Sequence, residues 1–294
     1  MTWTHEHSWK LAATPEVIFR AFTDPNQLTT WFAEHAEVGD RVGGPYRFWG
    51  RRTLGMPSAD QATQALTAFD PPRRLGFAWR IRDCPTEVTV AFAAEGDGCR
   101  LTLHHRVDGD LGGPRQKELI DDHWRLGVGN LMSHLGGGQG LLLPDYADPA
   151  PEVRFTITIE APCEAVWRAL IEPEALQRWV GSPGLPTVEP RAGGRYEFGW
   201  SYQIDGKTVA GGPTRILEFV PERKLVVDWP DWRGDPAVNT QHLTWLLEPA
   251  GSHTRLTFIH GGFGRTTDLS DYPFGWAHFL GELTKVSLTL DQGA

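Results

Sequence analysis

The chain has 294 residues, a formal net charge of −9, 40% hydrophobic and 22% charged residues, the proportions of a globular protein of about two domains. The acidic balance excludes a nucleic-acid binder, which needs a concentrated basic face, and Arg51-Arg52 and Arg73-Arg74 are only pairs. No apolar run approaches the ~20 residues of a membrane helix, so no membrane insertion is expected.

The first residues lack the basic and apolar regions of a signal peptide. Cys84, Cys99 and Cys163 are scattered thiols, which points to a reducing cytoplasm and against a disulfide frame or a zinc-binding cysteine pair. The unusual component is 13 Trp, a density that implies large aromatic-filled cores or cavities walled with rings.

In chain order, Trp9 and Leu11 belong to a first strand, and the spacing predicts short helices over 15–23 and 25–32. Strands follow as far as His105, interrupted by the polar, irregular stretch Arg51 to Gln64, where a longer and looser segment is expected. A helix is predicted from Arg115 to about Leu135. Gly136-Gly137-Gly138 and the proline-rich run Pro144 to Pro151 read as a linker.

After the linker the order recurs. Val153, Phe155, Ile157 and Ile159 alternate with polar residues as a strand with one buried face. Val166, Trp167 and Leu170 have helical spacing, and Pro173 opens a second short helix ending near Trp179. Tyr196, Phe198, Trp200 and Tyr202 share one parity, and Asp205-Gly206 is a hairpin turn. Strands are predicted around Leu217 and Phe219, Leu225 to Trp229, Leu243 to Leu247, and Leu256 to His260, and an amphipathic helix over Phe274 to Leu290.

The recurrence extends to residues. Phe19-Arg20-Ala21, Pro25, Leu28 and Trp31 return as Trp167-Arg168-Ala169, Pro173, Leu176 and Trp179, about 150 positions later. Gly43-Gly44-x-Tyr46-x-Phe48 returns as Gly193-Gly194-x-Tyr196-x-Phe198, Arg100-Leu101-Thr102 as Arg255-Leu256-Thr257, and Trp124 as Trp276. Self-similarity at this long period means two copies of one domain. The boundaries read as 1–138 for the first domain, 139–151 for the linker and 152–294 for the second.

These motifs resemble the SRPBCC superfamily, the START and Bet v-like helix-grip fold, in the branch named for the activator of heat-shock-protein-90 ATPase. The resemblance rests on Pro162-x-x-x-Val166-Trp167-Arg168-Ala169-Leu170, on Pro173, Leu176 and Trp179, and on Gly193-Gly194-x-Tyr196-x-Phe198. Pro221-x-x-x-Leu225, the Thr254 to Gly262 stretch with His260, and Gly275-Trp276 complete it, and it covers both copies. It implies an α+β class with two tandem domains, each a curved antiparallel sheet wrapped around a long C-terminal helix with a cavity between them. Family members bind hydrophobic small molecules, cyclise polyketides, protect producers from their own toxic products or act as co-chaperones, so the fold does not name one activity.

Strand parity selects the side chains expected to face the helix. In the second copy these are Tyr196, Phe198, Trp200, Tyr202, Trp229, Trp245, Phe258 and His260, opposed by Trp276 and Phe279; in the first they include Tyr46, Phe48, Trp79, Phe92 and His105, opposed by Trp124. Such rings either wall a ligand cavity or fill a solid core. The second copy is expected to be the binding half, because the first has Gly50 in place of Trp200.

His105 and His260 fall at the same place, at the end of the last strand. Each reads either as an orienting group or general base for a ligand, or as a structural histidine bonded to loop backbone. His5 and His7 share one strand face and suit a metal, but no third ligand is evident, so neither metal nor cofactor is expected. Asp121-Asp122-His123 reads as a helix start, where acids complement the dipole.

No phosphate loop, nucleophile elbow or Cys-x-x-Cys is present, and no catalytic constellation is recognisable. The leading expectation is a cytoplasmic binding protein for a hydrophobic, aromatic small molecule, in a natural-product biosynthesis or self-resistance setting. The alternatives are an aromatase/cyclase-like or lyase-type enzyme, with His260, His105 and Tyr202 as catalytic candidates, and a co-chaperone-like module, for which no exposed patch is identifiable.

Overall fold

A computed structural model describes residues 2–137, 141–204, 206–235 and 238–292. Asp205 of the expected turn, Gly138 of the glycine run and positions 139–140 of the expected linker lie outside the described residues. The chain divides into two compact units, Met1–Pro149 with Arg265–Asp271, and Ala150–Gly264 with Tyr272–Ala294. The segment Arg265–Asp271, which the repeat assigns to the second domain, thus belongs to the first unit. There Arg265 donates to the Arg115 carbonyl at 3.2 Å and Thr266 to the Asp145 carbonyl at 2.9 Å.

The first unit runs β1 (Thr2–Leu11), α1 (Pro15–Thr23), α2 (Pro25–Trp31), β2 (His35–Val38), β3 (Tyr46–Trp49), β4 (Leu66–Asp70), β5 (Arg74–Ile81), β6 (Cys84–Glu95), β7 (Gly98–Asp108) and α3 (Gln116–Leu135). Its five-stranded sheet has the order β1-β7-β6-β5-β4, with β2 and β3 as a separate antiparallel pair. The second unit runs β8 (Val153–Ile159), α4 (Cys163–Ile171), α5 (Pro173–Val180), β9 (Thr187–Val188), β10 (Tyr196–Glu197), β11 (Trp200–Ile204), β12 (Lys207–Gly211), β13 (Ile216–Val220), β14 (Lys224–Asp228), β15 (His242–Ala250), β16 (His253–Gly261) and α6 (Tyr272–Gln292). Its sheet order, β13-β14-β15-β16-β8, repeats the first. Both units are α+β, with antiparallel sheets and a long terminal helix, as the sequence implied. No described helix is long and apolar enough to cross a membrane.

Local chemistry sets the helix breaks. A proline at the first turn lacks only a donor that has no helical partner there, and Pro15, Pro25 and Pro173 all stand at such positions. Each of the last two also holds its preceding residue extended, so Asp24 and Glu172 end one helix and begin the next. Asp24 then caps α2 by accepting from the Asn26 amide at 2.9 Å.

The repeated aromatic residues tie these helices to the sheet in the same way twice. Trp31 donates its indole N–H to the Ala21 carbonyl at 3.0 Å, and Trp179 to Ala169 at 2.9 Å. Tyr46 donates to the Phe22 carbonyl at 2.9 Å, and Tyr196 to Leu170 at 2.8 Å. All four side chains are buried, so each bond satisfies a polar group that would otherwise cost free energy in the core. The units differ after this point. Arg51 to Gln64 forms no strand; instead the buried Gln64 amide pairs with Phe48, donating to its carbonyl at 3.1 Å and accepting its N–H at 3.4 Å.

One parity expectation is overturned. Gly199 has φ +79°, a conformation only glycine adopts cheaply, and it separates β10 from β11. Tyr202 shares its strand face with Trp200, yet it lies in the two-stranded β11–β12 hairpin outside the five-stranded sheet and is 42% exposed, with its ring over Gly211, where a Cβ would collide with it.

Replacing Tyr196 by Phe leaves the Leu170 carbonyl buried without its donor. We expect a loss of about 1–3 kcal/mol, read as a lower urea midpoint at unchanged slope; an unaltered midpoint would show that the bond contributes nothing net.

Candidate ligand site

In the second unit, β16 carries His260 to its inner end and α6 brings Trp276 over it. The Trp276 indole N–H donates to His260 Nδ1 at 3.1 Å. With Nδ1 accepting, the neutral ring carries its proton on Nε2, and Nε2 faces Gln241 Oε1 at 3.3 Å. Both ring nitrogens are therefore engaged by side chains, not by loop backbone.

Of the expected rings, Trp229 and Trp276 lie against this histidine, and Phe263 and Tyr272, which sequence reasoning missed, lie nearer at 4.5 Å each. Trp229 lies 5.4 Å from His260 and 5.3 Å from Trp276, and Phe258 lies 4.6 Å from Trp276. Tyr196, Phe198, Trp245 and Phe258 are fully buried and fill the space between sheet and helix. The cluster is less closed at one side, where Trp200 and Phe279 are half-buried with ring centroids 5.3 Å apart. Trp200 also donates to the Val180 carbonyl at 3.0 Å and lies 6.3 Å from Trp229. Tyr202 is excluded by its exposure, so the sequence-based pairing of Tyr202 with buried His260 does not form.

Beside Trp229 the surface opens into a cleft of about 260 Å³, lined also by Arg215, Asp228, Asp231, Asn239 and Gln241. Asp228 has outward parity, yet it shapes this wall by accepting from the Thr214 and Arg215 amides at 2.7 and 2.9 Å. Gln241 reaches from the cleft to His260. Sequence reasoning missed it, although its position two residues before Leu243, the strand partner of His260, placed it on the inner face.

The first unit repeats the centre with other neighbours. Trp124 donates to His105 Nδ1 at 3.0 Å, and Trp79 stacks on His105 at 5.5 Å. At the position of Gln241 stands Thr86, which donates to the Trp79 carbonyl at 2.8 Å and leaves His105 Nε2 without a partner. Tyr46, Phe48, Trp79 and Trp124 are buried against one another. Phe92 packs instead on α1, 5.5 Å from both Phe19 and Phe22. A void of about 10 Å³ lies beside His123 and Tyr146, at the threshold for a single water.

Asp121, Asp122 and His123 are not at a helix start: α3 begins at Gln116, and Asp122 and His123 are buried. His123 Nδ1 meets the Tyr146 hydroxyl at 2.8 Å. Among the described residues, His5, His7 and Asp121 form a group with metal-ligand donors near one another.

Burial holds His105 and His260 well below the ordinary histidine pKa and pushes His123 down to about 3. These rings stay neutral in the folded chain and regain the ordinary value of 6.5 on unfolding. The unfolded state then binds more protons below that pH, so stability is complete above pH 6.5 and is lost as pH falls. Each ring contributes up to about 1.4 kcal/mol per pH unit in that window. Urea midpoints should be level from pH 7 to 8 and fall steeply toward pH 5; a level profile to pH 5 would contradict buried neutral histidines.

The family model described as Activator of Hsp90 ATPase homolog 1-like protein matches residues 12–135 and again 160–287. Among solved structures, the chain is similar to DynU16, a protein in the dynemicin biosynthetic locus, with 19% identity over 97% of this chain and 98% of that one and a TM-score of 0.41. It is also similar to CalU16 from Micromonospora echinospora (22% identity, 46% of this chain, 76% of that one, TM-score 0.36). A third is the Aha1 dimer from Colwellia psychrerythraea (20% identity, 46% and 93%, TM-score 0.35). No curated protein matches significantly. Both halves thus fit one description over most of their length, and the chain belongs to the activator of Hsp90 ATPase homolog 1-like family, within the SRPBCC superfamily, as two tandem copies.

Proposed function

We propose that this protein binds a compact aromatic molecule in its second domain, at the cleft beside Trp229. The observation that carries the reading is the cleft itself: a Trp229 wall faces Asp231, Asn239 and Gln241. The apolar part of the lining is Trp229, Pro230 and Val238, and the polar groups outnumber it, so the cleft suits an aromatic ring that carries polar substituents. A volume of about 260 Å³ lies below the usual range of about 300–1,000 Å³, which favours a small ring system over a long chain or a large polycycle. In this reading Trp229 stacks on the ligand and Gln241 orients a polar substituent. Tyr196, Phe198, Trp245, Phe258, His260 and Trp276 form the rigid base that holds Trp229 in place. The first-domain rings act as core.

Binding is favoured over cyclisation by the state of His260. A general base needs an open lone pair within reach of its proton, and the Nδ1 lone pair of His260 is taken by Trp276. Residence in the cytoplasm is supported by the thiols: Cys84 and Cys99 are buried and free, and Cys163 is also free.

The test is a thermal-shift and tryptophan-fluorescence screen of aromatic compounds graded from one to four rings. A ligand at a hundred times its Kd should stabilise the chain by about 2.7 kcal/mol, quench tryptophan emission, and lose most of both effects in Trp229→Ala and Gln241→Ala. Melting and emission unchanged across the panel would overturn the proposal.

A further inference from the structure

The first domain carries a polar group that its packing does not require. His5 and His7 lie two residues apart on β1, so their side chains share one face, and both come near Asp121 on α3. Asp121 Oδ1 lies 3.8 Å from His5 Nε2 and 3.8 Å from His7 Nδ1. All three donor atoms lie within 4.8 Å of one another. These separations are too long for hydrogen bonds, and the buried His5 Nε2 has no hydrogen-bond partner. The three side chains therefore face a common point without satisfying one another.

The internal repeat supplies an independent comparison. His5 pairs with His105 across β1 and β7, and Val153 pairs with His260 across β8 and β16, so Val153 stands where His5 does. By the same register His7 corresponds to Phe155. Aligning Trp124 with Trp276 places Pro273 at the position of Asp121. The second domain thus builds the same sheet edge and helix with Val, Phe and Pro at these positions. The fold needs only apolar surface there, and the first domain has instead two imidazoles and a carboxylate.

From this convergence we propose that His5, His7 and Asp121 form a binding site for a divalent transition-metal ion in the first domain. Zinc-to-nitrogen and zinc-to-oxygen bonds of about 2.0–2.2 Å at tetrahedral angles put donor atoms about 3.3 Å apart. The two 3.8 Å separations to Asp121 close by about 0.5 Å when an ion enters, and the His5–His7 donor separation, within 4.8 Å, closes by up to about 1.5 Å. The outer contacts already orient the donors. Arg125 donates to Asp121 Oδ2 at 2.9 Å, and Arg125 is itself paired with Asp271 at 3.2 Å. The His7 ring is held by stacking on Trp9 at 4.2 Å. Two neutral nitrogens with one carboxylate suit zinc, cobalt or ferrous ions over calcium or magnesium. Three protein donors leave a position for water or a ligand atom. The positive Arg125 lowers the affinity for every cation, which favours those ions that bind imidazole nitrogen most strongly.

The experiment uses the whole untagged chain, stripped with chelator and titrated with cobalt(II), then with zinc in competition. The expected result is one cobalt per chain with visible absorption bands of low coordination number, displaced by zinc. Zinc should also raise the melting temperature. Asp121→Asn, and the double variant His5→Val/His7→Phe that copies the second domain, should each weaken binding by at least about tenfold. The double variant carries residues that the same fold already accommodates, so its melting without metal separates lost ligands from lost structure. No saturable binding by the intact chain, or equal affinity in either variant, would overturn the proposal.

Discussion

Each domain depends on one hydrogen bond placed where strand and helix meet: an indole N–H from the terminal helix to the Nδ1 of a histidine at the end of the last strand. The distances are 3.0 Å in the first domain and 3.1 Å in the second, and all four residues are buried. In a dry, ring-lined interior an unpaired indole or imidazole costs far more than it does in water. The pair can be satisfied only when helix and sheet are docked at one rotation. The bond also fixes the tautomer, because an accepting Nδ1 leaves the proton on Nε2.

That proton is where the two copies part. In the second domain Nε2–H finds Gln241, which extends the buried centre outward to a cleft. In the first, Thr86 turns to the Trp79 carbonyl and His105 Nε2 stays unpartnered among rings. A single side-chain exchange at one strand position thus decides whether the core connects to the surface. The opposite asymmetry holds at the sheet edge, where the first domain is polar at His5 and His7 and the second is apolar at Val153 and Phe155. Duplication freed each copy to keep the shared docking bond while changing what surrounds it.

Much of the fold was legible in the chain. Alternation in Val153 to Ile159, the prolines at helix starts and the repeated Trp and Tyr positions are local signals, and each reports a local cause: strand pleat, missing donor or core anchor. The repeat made them stronger, since the same element appears twice. The strand-borne rings around His260 were legible because inward parity persists along a regular strand. Parity failed at Tyr202 because its strand leaves the five-stranded sheet for a two-stranded hairpin, and alternation along the chain does not announce where the sheet ends.

The sequence by itself determined the two-copy architecture, the order of elements in each copy, and the placement of both histidines on the inner face. These follow from periodicity and from residues whose backbone demands are intrinsic. Only the tertiary structure decided that both His260 nitrogens are occupied, that the opening lies at Trp229, and that Asp121 approaches His5 and His7 from α3. Each of these joins side chains far apart in the chain across distances of a few ångströms. Such distances are set by how helix and sheet pack, and no local pattern encodes them.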